Sequence, residues 1–500
     1  MQTTAQVLTP DLSALSVAGD APFSLTLADG QVLACERIVR RVPGKRIVCQ
    51  GVWQTQPVFA KIFLGSAAVR HMQRDRQGSL LLTSSGSATP ALLYAAALPD
   101  GAGQVLLYQA ISPCSNVEAY VQTLSGDEPA RLALMLALSR LMAQHHQAGL
   151  LQTDLYLKNF LLQGDQLYTL DGDGIRRLQG WRVRRNALLN LSRLISKQDA
   201  SDDGWVPQLY RAYCAQRGWT ESVAQLAELT REVSSMRRVA AHEYADRKVL
   251  RECSDVQVQR SHNRFRAVAR GWVARLGSVL DDADSLLAEP GNVRFKSGNT
   301  CTVGLAEVSG QKVVVKRYNI KSFWHGVNRA WRPSRAASAW SNAFRLNIYG
   351  IATASPVALL ERRWGMLRRE AYFLAEYVDA PDMAEWMAGV SEVERQQVAM
   401  RVARLLHKMQ RLWLVHGDLK ASNIKIVAGE PTLIDLDSMR EYRCGWLFLQ
   451  RHARDLRRLL KNWQHDDATL ALLEAALMVV YGNAPALEAA GINDKTSETR

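Results

Sequence analysis

Five hundred residues, 47% hydrophobic and 22% charged, suffice for two or three domains with ordinary cores and exclude a disordered chain. A net charge of +14 points to an anionic partner, whether nucleotide, nucleic acid or lipid, without choosing among them, because the basic residues fall in many arginine clusters. Seven scattered cysteines, an odd number with no CxxC pair, argue against a disulfide framework or a zinc site and for a reducing compartment.

The opening stretch, Met1 to Ser16, lacks the basic start and apolar core of a signal peptide, and no apolar run reaches the length of a membrane span. A cytoplasmic chain is expected. Strand character follows at Phe23–Leu27, Val32–Ile38, Arg46–Val52 and Val58–Phe63. Lys61 sits among apolar residues of the last strand. Such a lysine is either an edge residue or the one that pairs with ATP phosphates, and its position 93 residues before Asp154 favours the second. The turn Val42–Lys45, with one glycine, reads equally as a phosphate-covering loop or a plain β-turn. Residues 68–82 are predicted helical, with Asp75 the carboxylate best placed for Lys61. Gln104–Ile111 reads as a strand leading into an interlobe hinge. Glu128–Gln147 reads as a helix with Leu134, Leu138, Leu141 and Met142 on one face. It runs into Asp154-Leu155-Tyr156-Leu157-Lys158-Asn159, a hairpin turning at Gly164-Asp165, and Asp171. Residues 183–250 are helical and arginine-rich. The stretch 241–275, with Arg260, Arg264 and Arg266, reads as a basic junction whose charge is a solvated face, and no nucleic-acid partner is expected.

The order then repeats. Phe295–Thr300, containing Gly298, is the loop and Val313–Lys316 the lysine strand. Lys316 precedes Asp418 by 102 residues, the extra length falling in Ser322–Trp340. Tyr372–Val378, with Glu376, is the hinge-type strand. Ser391 and Glu394 form a capping box before a helix striped by Val398, Val402, Leu405, Leu406 and Met409. His416-Gly417-Asp418-Leu419-Lys420-Ala421-Ser422-Asn423 follows, then Asp435, then helices over 446–462 and 467–481. Asp154 to Asp418, Asn159 to Asn423 and Asp171 to Asp435 are each 264 residues apart. The fold expected is α+β: two tandem bilobal protein-kinase-like domains, 1–240 and 276–500, joined by 241–275.

Phosphoryl transfer needs positioning and charge neutralisation above all. Asp418 is expected to accept the acceptor's proton, Lys420 to reach the γ-phosphate, and Asn423 and Asp435 to hold Mg²⁺ against the phosphates of ATP. His416 braces the loop. Lys316, Gly298 and Glu376 are the nucleotide-side candidates. The first copy keeps Lys61, Asp75, Asp154, Asn159 and Asp171 but has Gln152 for His416 and Tyr156 for Lys420, so it reads as a weaker kinase or a pseudokinase. The second copy has Ala339 where Asp75 stands in the first, leaving Lys316 without an obvious acidic partner.

With His146 and Gly149 upstream, the run Asp154 to Leu162 resembles the D-x-Y-x-x-[HN]-F-L-L stretch of bacterial lipopolysaccharide core heptose kinases. Lys316–Asn319, Ser334–Ala336 and His416–Asp418 are similar to the broader lipopolysaccharide kinase group. The resemblance implies an ATP- and Mg²⁺-dependent kinase acting on an inner-core sugar of a lipopolysaccharide precursor, at the cytoplasmic face of the inner membrane. The alternatives are a nucleotide-binding pseudokinase scaffold for core assembly and a protein kinase. The absence of D-F-G at either metal Asp and of an A-P-E segment disfavours the protein kinase; an antibiotic kinase is a variant of the first reading. For membrane contact, the candidate is Ser322–Trp340, with Trp324, Trp331, Trp340, Arg329, Arg332 and Arg335. The competing reading is that these tryptophans pack between lobes.

Overall fold

The computed structural model describes residues 11–19, 21–124, 126–277, 279–288, 293–297, 301–319, 333–364 and 367–492. The chain divides into two compact units, Met1–Gln198 with Gly204–Val233, and Asp199–Asp203 with Ser234–Arg500. Each combines an antiparallel sheet with a mainly helical part, so the α+β expectation holds.

In the first unit, β1 (Phe23–Thr26), β2 (Val32–Val42), β3 (Arg46–Trp53) and β4 (Gln56–Phe63) precede helix α1 (Ala68–Ser84). β5 (Leu92–Ala97) and β6 (Gln104–Gln109) follow and complete a sheet of order β1-β2-β3-β4-β6-β5. Strand periodicity places the site lysine. Val58, Ala60 and Ile62 of β4 turn into the core, so Lys61 projects from the opposite face. The Val42–Lys45 stretch closes the β2–β3 hairpin as a tight turn, with Lys45 N–H donating to the Val42 carbonyl. The helical part holds α2 (Glu128–Gln147), the hairpin β7 (Phe160–Gln163) and β8 (Gln166–Thr169), then α3 (Val183–Ile195), α4 (Val206–Arg217) and the first half of α5 (Val223–His242), which passes into the second unit at Ser234. Asp127 caps α2 through Ala130 N–H, and the helix buries the predicted stripe Leu134, Leu138, Leu141 and Met142.

In the second unit, β9 (Val256–Arg260), β10 (Arg264–Ala269), β11 (Val293–Ser297), β12 (Cys301–Val308) and β13 (Gln311–Tyr318) come before α6 (Arg335–Ile348). β14 (Pro356–Trp364) and β15 (Leu367–Glu376) complete a sheet of order β9-β10-β14-β15-β13-β12-β11. The stretch read as a basic junction thus supplies two strands of this sheet. Its period-two pattern is real: Val256, Phe265 and Ala267 are buried, but the arginines between them obscure it in the sequence. Helix α7 (Glu392–Arg411) opens with the expected capping box at Ser391 and Glu394. The hairpin β16 (Ile424–Val427) and β17 (Glu430–Leu433) leads to α8 (Gly445–Leu460) and α9 (Asp467–Tyr481). Among the described residues, no helix is long and apolar enough to cross a membrane.

Of the expected membrane insertion, residues 322–332, with Trp324, Arg329, Trp331 and Arg332, lie outside the described residues. Trp340 does not face lipid. It is fully buried on α6, its indole N–H donating to the Val249 carbonyl at 3.1 Å and its ring edge-on to Phe344. Gly298 also lies outside the described residues.

Candidate active site

In the first unit, the Lys61 ammonium donates to Asp75 Oδ2 of α1 at 2.6 Å and to Asp171 Oδ1, after β8, at 3.1 Å. The expected Lys61–Asp75 pair is therefore present. Burial opposes a charge on Lys61, but Asp75 and Asp171 together raise its pKa above the ordinary value. Asp75 is fully buried and also accepts the Tyr108 hydroxyl at 2.6 Å, which itself meets Ser79 Oγ at 3.0 Å. Tyr108 was not legible as a site residue, since one tyrosine in an apolar strand carries no signal.

Asn159 donates its side-chain amide to the Asp154 carbonyl at 2.8 Å, fixing the loop that carries the candidate base. Its backbone carbonyl accepts from Leu170 N–H, which brings the start and end of the β7–β8 hairpin together and sets Asp171 beside it. Asp171 has a left-handed backbone, φ 66°, a conformation that Asp tolerates better than most side chains. The next turn runs against α1, where Gly78 is required. A Cβ there would lie 1.8 Å from the Gly172 carbonyl oxygen. Arg74 of α1 grips Asp173, with Nη2 to Oδ2 at 2.9 Å.

The second unit repeats most of this. Lys316 donates to Asp435 Oδ1 at 2.8 Å. Burial would raise the Asp435 carboxyl, but Lys316 outweighs it and holds the group below its usual value. Asn423 donates to the Asp418 carbonyl at 2.8 Å, and its own carbonyl accepts from Ile434 N–H. Asp435 is again left-handed, φ 64°. Arg335 of α6 pairs with Asp437 at 2.5 Å, as Arg74 does with Asp173. The two units differ at the helix. α6 carries no acidic residue, and Ala339 is buried where the first unit has Asp75. Gly78 is answered by Asn342, whose amide donates to the Leu436 and Met439 carbonyls at 2.9 Å each. Glu376 accepts the Trp272 indole N–H at 3.0 Å, so its carboxylate is engaged on the sheet.

His416 braces the loop as expected. It is fully buried, its Nε2 lies 3.0 Å from the Ile434 carbonyl, and burial lowers its pKa. Gln152 reaches the equivalent carbonyl, Leu170, at 3.5 Å, so the first unit keeps the brace in weaker form. Two supports went unread in the sequence. Asp455 of α8 accepts Gly417 N–H at 3.0 Å, and Asn190 of α3 donates to the Gln152 carbonyl at 2.8 Å. Arg458, also on α8, pairs directly with Asp418. Asn190 and Asp455 are 265 residues apart, as are Arg193 and Arg458, a spacing through which they were findable once the repeat was known. Lys420 is half-buried beside the Asp418 loop. Tyr156, its counterpart, is exposed, with the ammonium groups of Lys197 and Lys158 over its ring at 4.3 Å and 5.0 Å.

The donor set suits a hard cation with oxygen ligands. Asn423 and Asn159 each commit the amide nitrogen to a backbone carbonyl, which leaves the amide oxygen to face a ligand, and Asp435 and Asp171 are held ionised by lysine.

The model of the lipopolysaccharide kinase (Kdo/WaaP) family matches residues 80–213 and 284–480. A solved structure described as WaaP in complex with acyl carrier protein is 18% identical, covering 43% of this chain and 96% of that one, with a TM-score of 0.30. No curated protein matches the chain. With most of both catalytic stretches inside the matched segments, the chain belongs to the lipopolysaccharide kinase family and is a kinase that acts on the lipopolysaccharide core.

Proposed function

We propose that the second unit transfers the γ-phosphoryl group of ATP to a sugar hydroxyl of the lipopolysaccharide inner core, and that the first unit binds nucleotide with weaker catalysis or none. The observation that carries the reading is the Lys316–Asp435 pair at 2.8 Å beside a loop in which Asn423 anchors Asp418. Asn423 and Asp435 are the residues that would hold Mg²⁺, which when bound would supply charge neutralisation for the phosphates. Lys316 orients the phosphates, and Lys420 adds positive charge on the side of the acceptor. Asp418 accepts the hydroxyl proton as the new P–O bond forms. Arg458 steadies the Asp418 carboxylate through a direct ion pair. We assign the two units to two kinase-like domains, the second taking in the strands at 256–269 that the expected bounds of 1–240 and 276–500 left outside it, with the acceptor met at the cytoplasmic face of the inner membrane.

A second reading has one observation in its favour. The complete Lys61–Asp75–Asp171 set belongs to the first unit, so that unit could be the catalyst and the second the scaffold. Single Asp418→Ala and Asp154→Ala variants decide between them in an ATP-dependent phosphotransfer assay on isolated core oligosaccharide. Asp418→Ala is expected to lose on the order of 10³-fold in turnover and Asp154→Ala far less. The opposite ranking would transfer catalysis to the first unit.

A further inference from the structure

In each unit the chain that follows the metal hairpin carries one exposed tryptophan at the head of the next helix. Trp181, just before α3, is 85% exposed, and Trp446, in the first turn of α8, is 70% exposed. They are 265 residues apart, the spacing that also relates Asn190 to Asp455 and Arg193 to Arg458, so the feature recurs at one position of the repeat. A single bare aromatic is ordinary on a protein surface, and Trp364 is also 70% exposed; what sets Trp181 and Trp446 apart is their recurrence at one position of the repeat.

The charge around them is one-sided. Between Asp173 and Asp199 there is no acidic residue, and six arginines and one lysine are present. Arg176, Arg177, Arg182, Arg184 and Arg185 are all exposed. The Arg182 guanidinium stacks 4.0 Å from the Trp181 ring. Arg184 lies 4.5 Å over Trp219 and donates to Gln225 Oε1 at 2.9 Å, and Arg185 comes within 3.8 Å of Glu228. Neither Arg177 nor Arg182 makes an ion pair among the described residues. Trp181 and the start of α3 line an open cleft of about 550 Å³, roomy enough for a lipid headgroup. In the second unit, Arg440, Arg443 and Arg451, which flank Trp446 in sequence, are exposed. The acids among them are committed elsewhere, Glu441 to Arg345 and Asp455 to the Gly417 amide.

We infer that, in each unit taken by itself, the exposed tryptophan and the arginine-rich run after the metal hairpin form a docking patch for an anionic phospholipid bilayer. Tryptophan settles at the headgroup level of a bilayer, and arginines beside it neutralise lipid phosphates. Attachment of this kind is reversible and salt-sensitive. It rests on the proposed function in one respect: a lipid-anchored acceptor gives the attachment its purpose.

The test is co-sedimentation of the full chain with phosphatidylcholine vesicles, with and without phosphatidylglycerol, at low and high salt. Pelleting is expected only with phosphatidylglycerol and is lost at high salt. The double variant Arg177→Glu, Arg182→Glu should bind more than about tenfold more weakly. Trp181→Ala and Trp446→Ala should each weaken binding several-fold. Thermal unfolding unchanged from wild type shows that these exposed sites were altered without unfolding. Variants that pellet like wild type, pelleting independent of phosphatidylglycerol, or a wild-type chain that stays in solution at low salt would each overturn the surface. A concentration-dependent dimer that these substitutions dissolve would assign it to a second copy of the chain instead. Vesicle binding requires no chemistry, so Asp418→Ala should pellet like wild type, which separates failure of this surface from failure of the catalytic reading.

Discussion

Asp75 is where the two units part at the level of single side chains. It is fully buried, yet accepts from both Lys61 and Tyr108. Removing it strands a lysine in a low-dielectric strand with only Asp171 left to balance it. Asp75→Ala should therefore cost about 2–3 kcal/mol, read as an earlier unfolding transition of the first unit. Ala339→Asp in the second unit is the reciprocal experiment, and Lys316 is the side chain positioned to respond. The lysines, the candidate bases and the metal ligands were legible because chemistry fixes both their type and their spacing. Asp455, Asn190 and Arg458 were not, because a single polar residue in a helix has no local pattern to mark it. What makes each a support is the neighbouring loop, a tertiary fact.

Among the elements, the helix that faces the metal loop is decisive. Gly78 lies in the interior of α1, where alanine would ordinarily favour the helix by about 1 kcal/mol. Here the added methyl meets the Gly172 carbonyl oxygen at 1.8 Å. Gly78→Ala should thus destabilise the first unit by about 1–3 kcal/mol and weaken nucleotide binding by displacing Asp171, measurable by thermal shift with and without MgATP. Most elements follow from periodicity. α2, α7 and the strands at Lys61 and Lys316 bury the stripes their spacing requires. The strands at 256–269 escaped because they are short and their arginines break the alternation by eye. Trp340 escaped because a tryptophan among arginines reads the same whether it faces lipid or the core.

At the scale of the whole molecule, buried histidines set the response to acid. Burial lowers His145 and His146 of the first unit and His452 of the second to about 4. In the unfolded chain they titrate near 6.5. Below that value the unfolded chain binds protons that the folded chain refuses, so stability is intact above about pH 6.5 and falls as pH drops toward 4. Each site contributes roughly 3 kcal/mol over that window. Unfolding temperatures measured across it should fall steeply, and His452→Gln should flatten the slope for the second unit while leaving the first unchanged. A slope equal in wild type and variant would assign acid sensitivity to other groups.

The pairing of Gly78 with Gly172, and of Asn342 with the Leu436 and Met439 carbonyls, bears on the history of the gene. Repeated halves of one gene can be kept alike by copying segments from one into the other. Copying this helix alone fails in both directions. An asparagine at position 78 would drive its side chain into a backbone carbonyl, and a glycine at 342 would strip two carbonyls of their donor. Helix and loop would have to be replaced together, across nearly a hundred intervening residues, for either half to accept the other's sequence here.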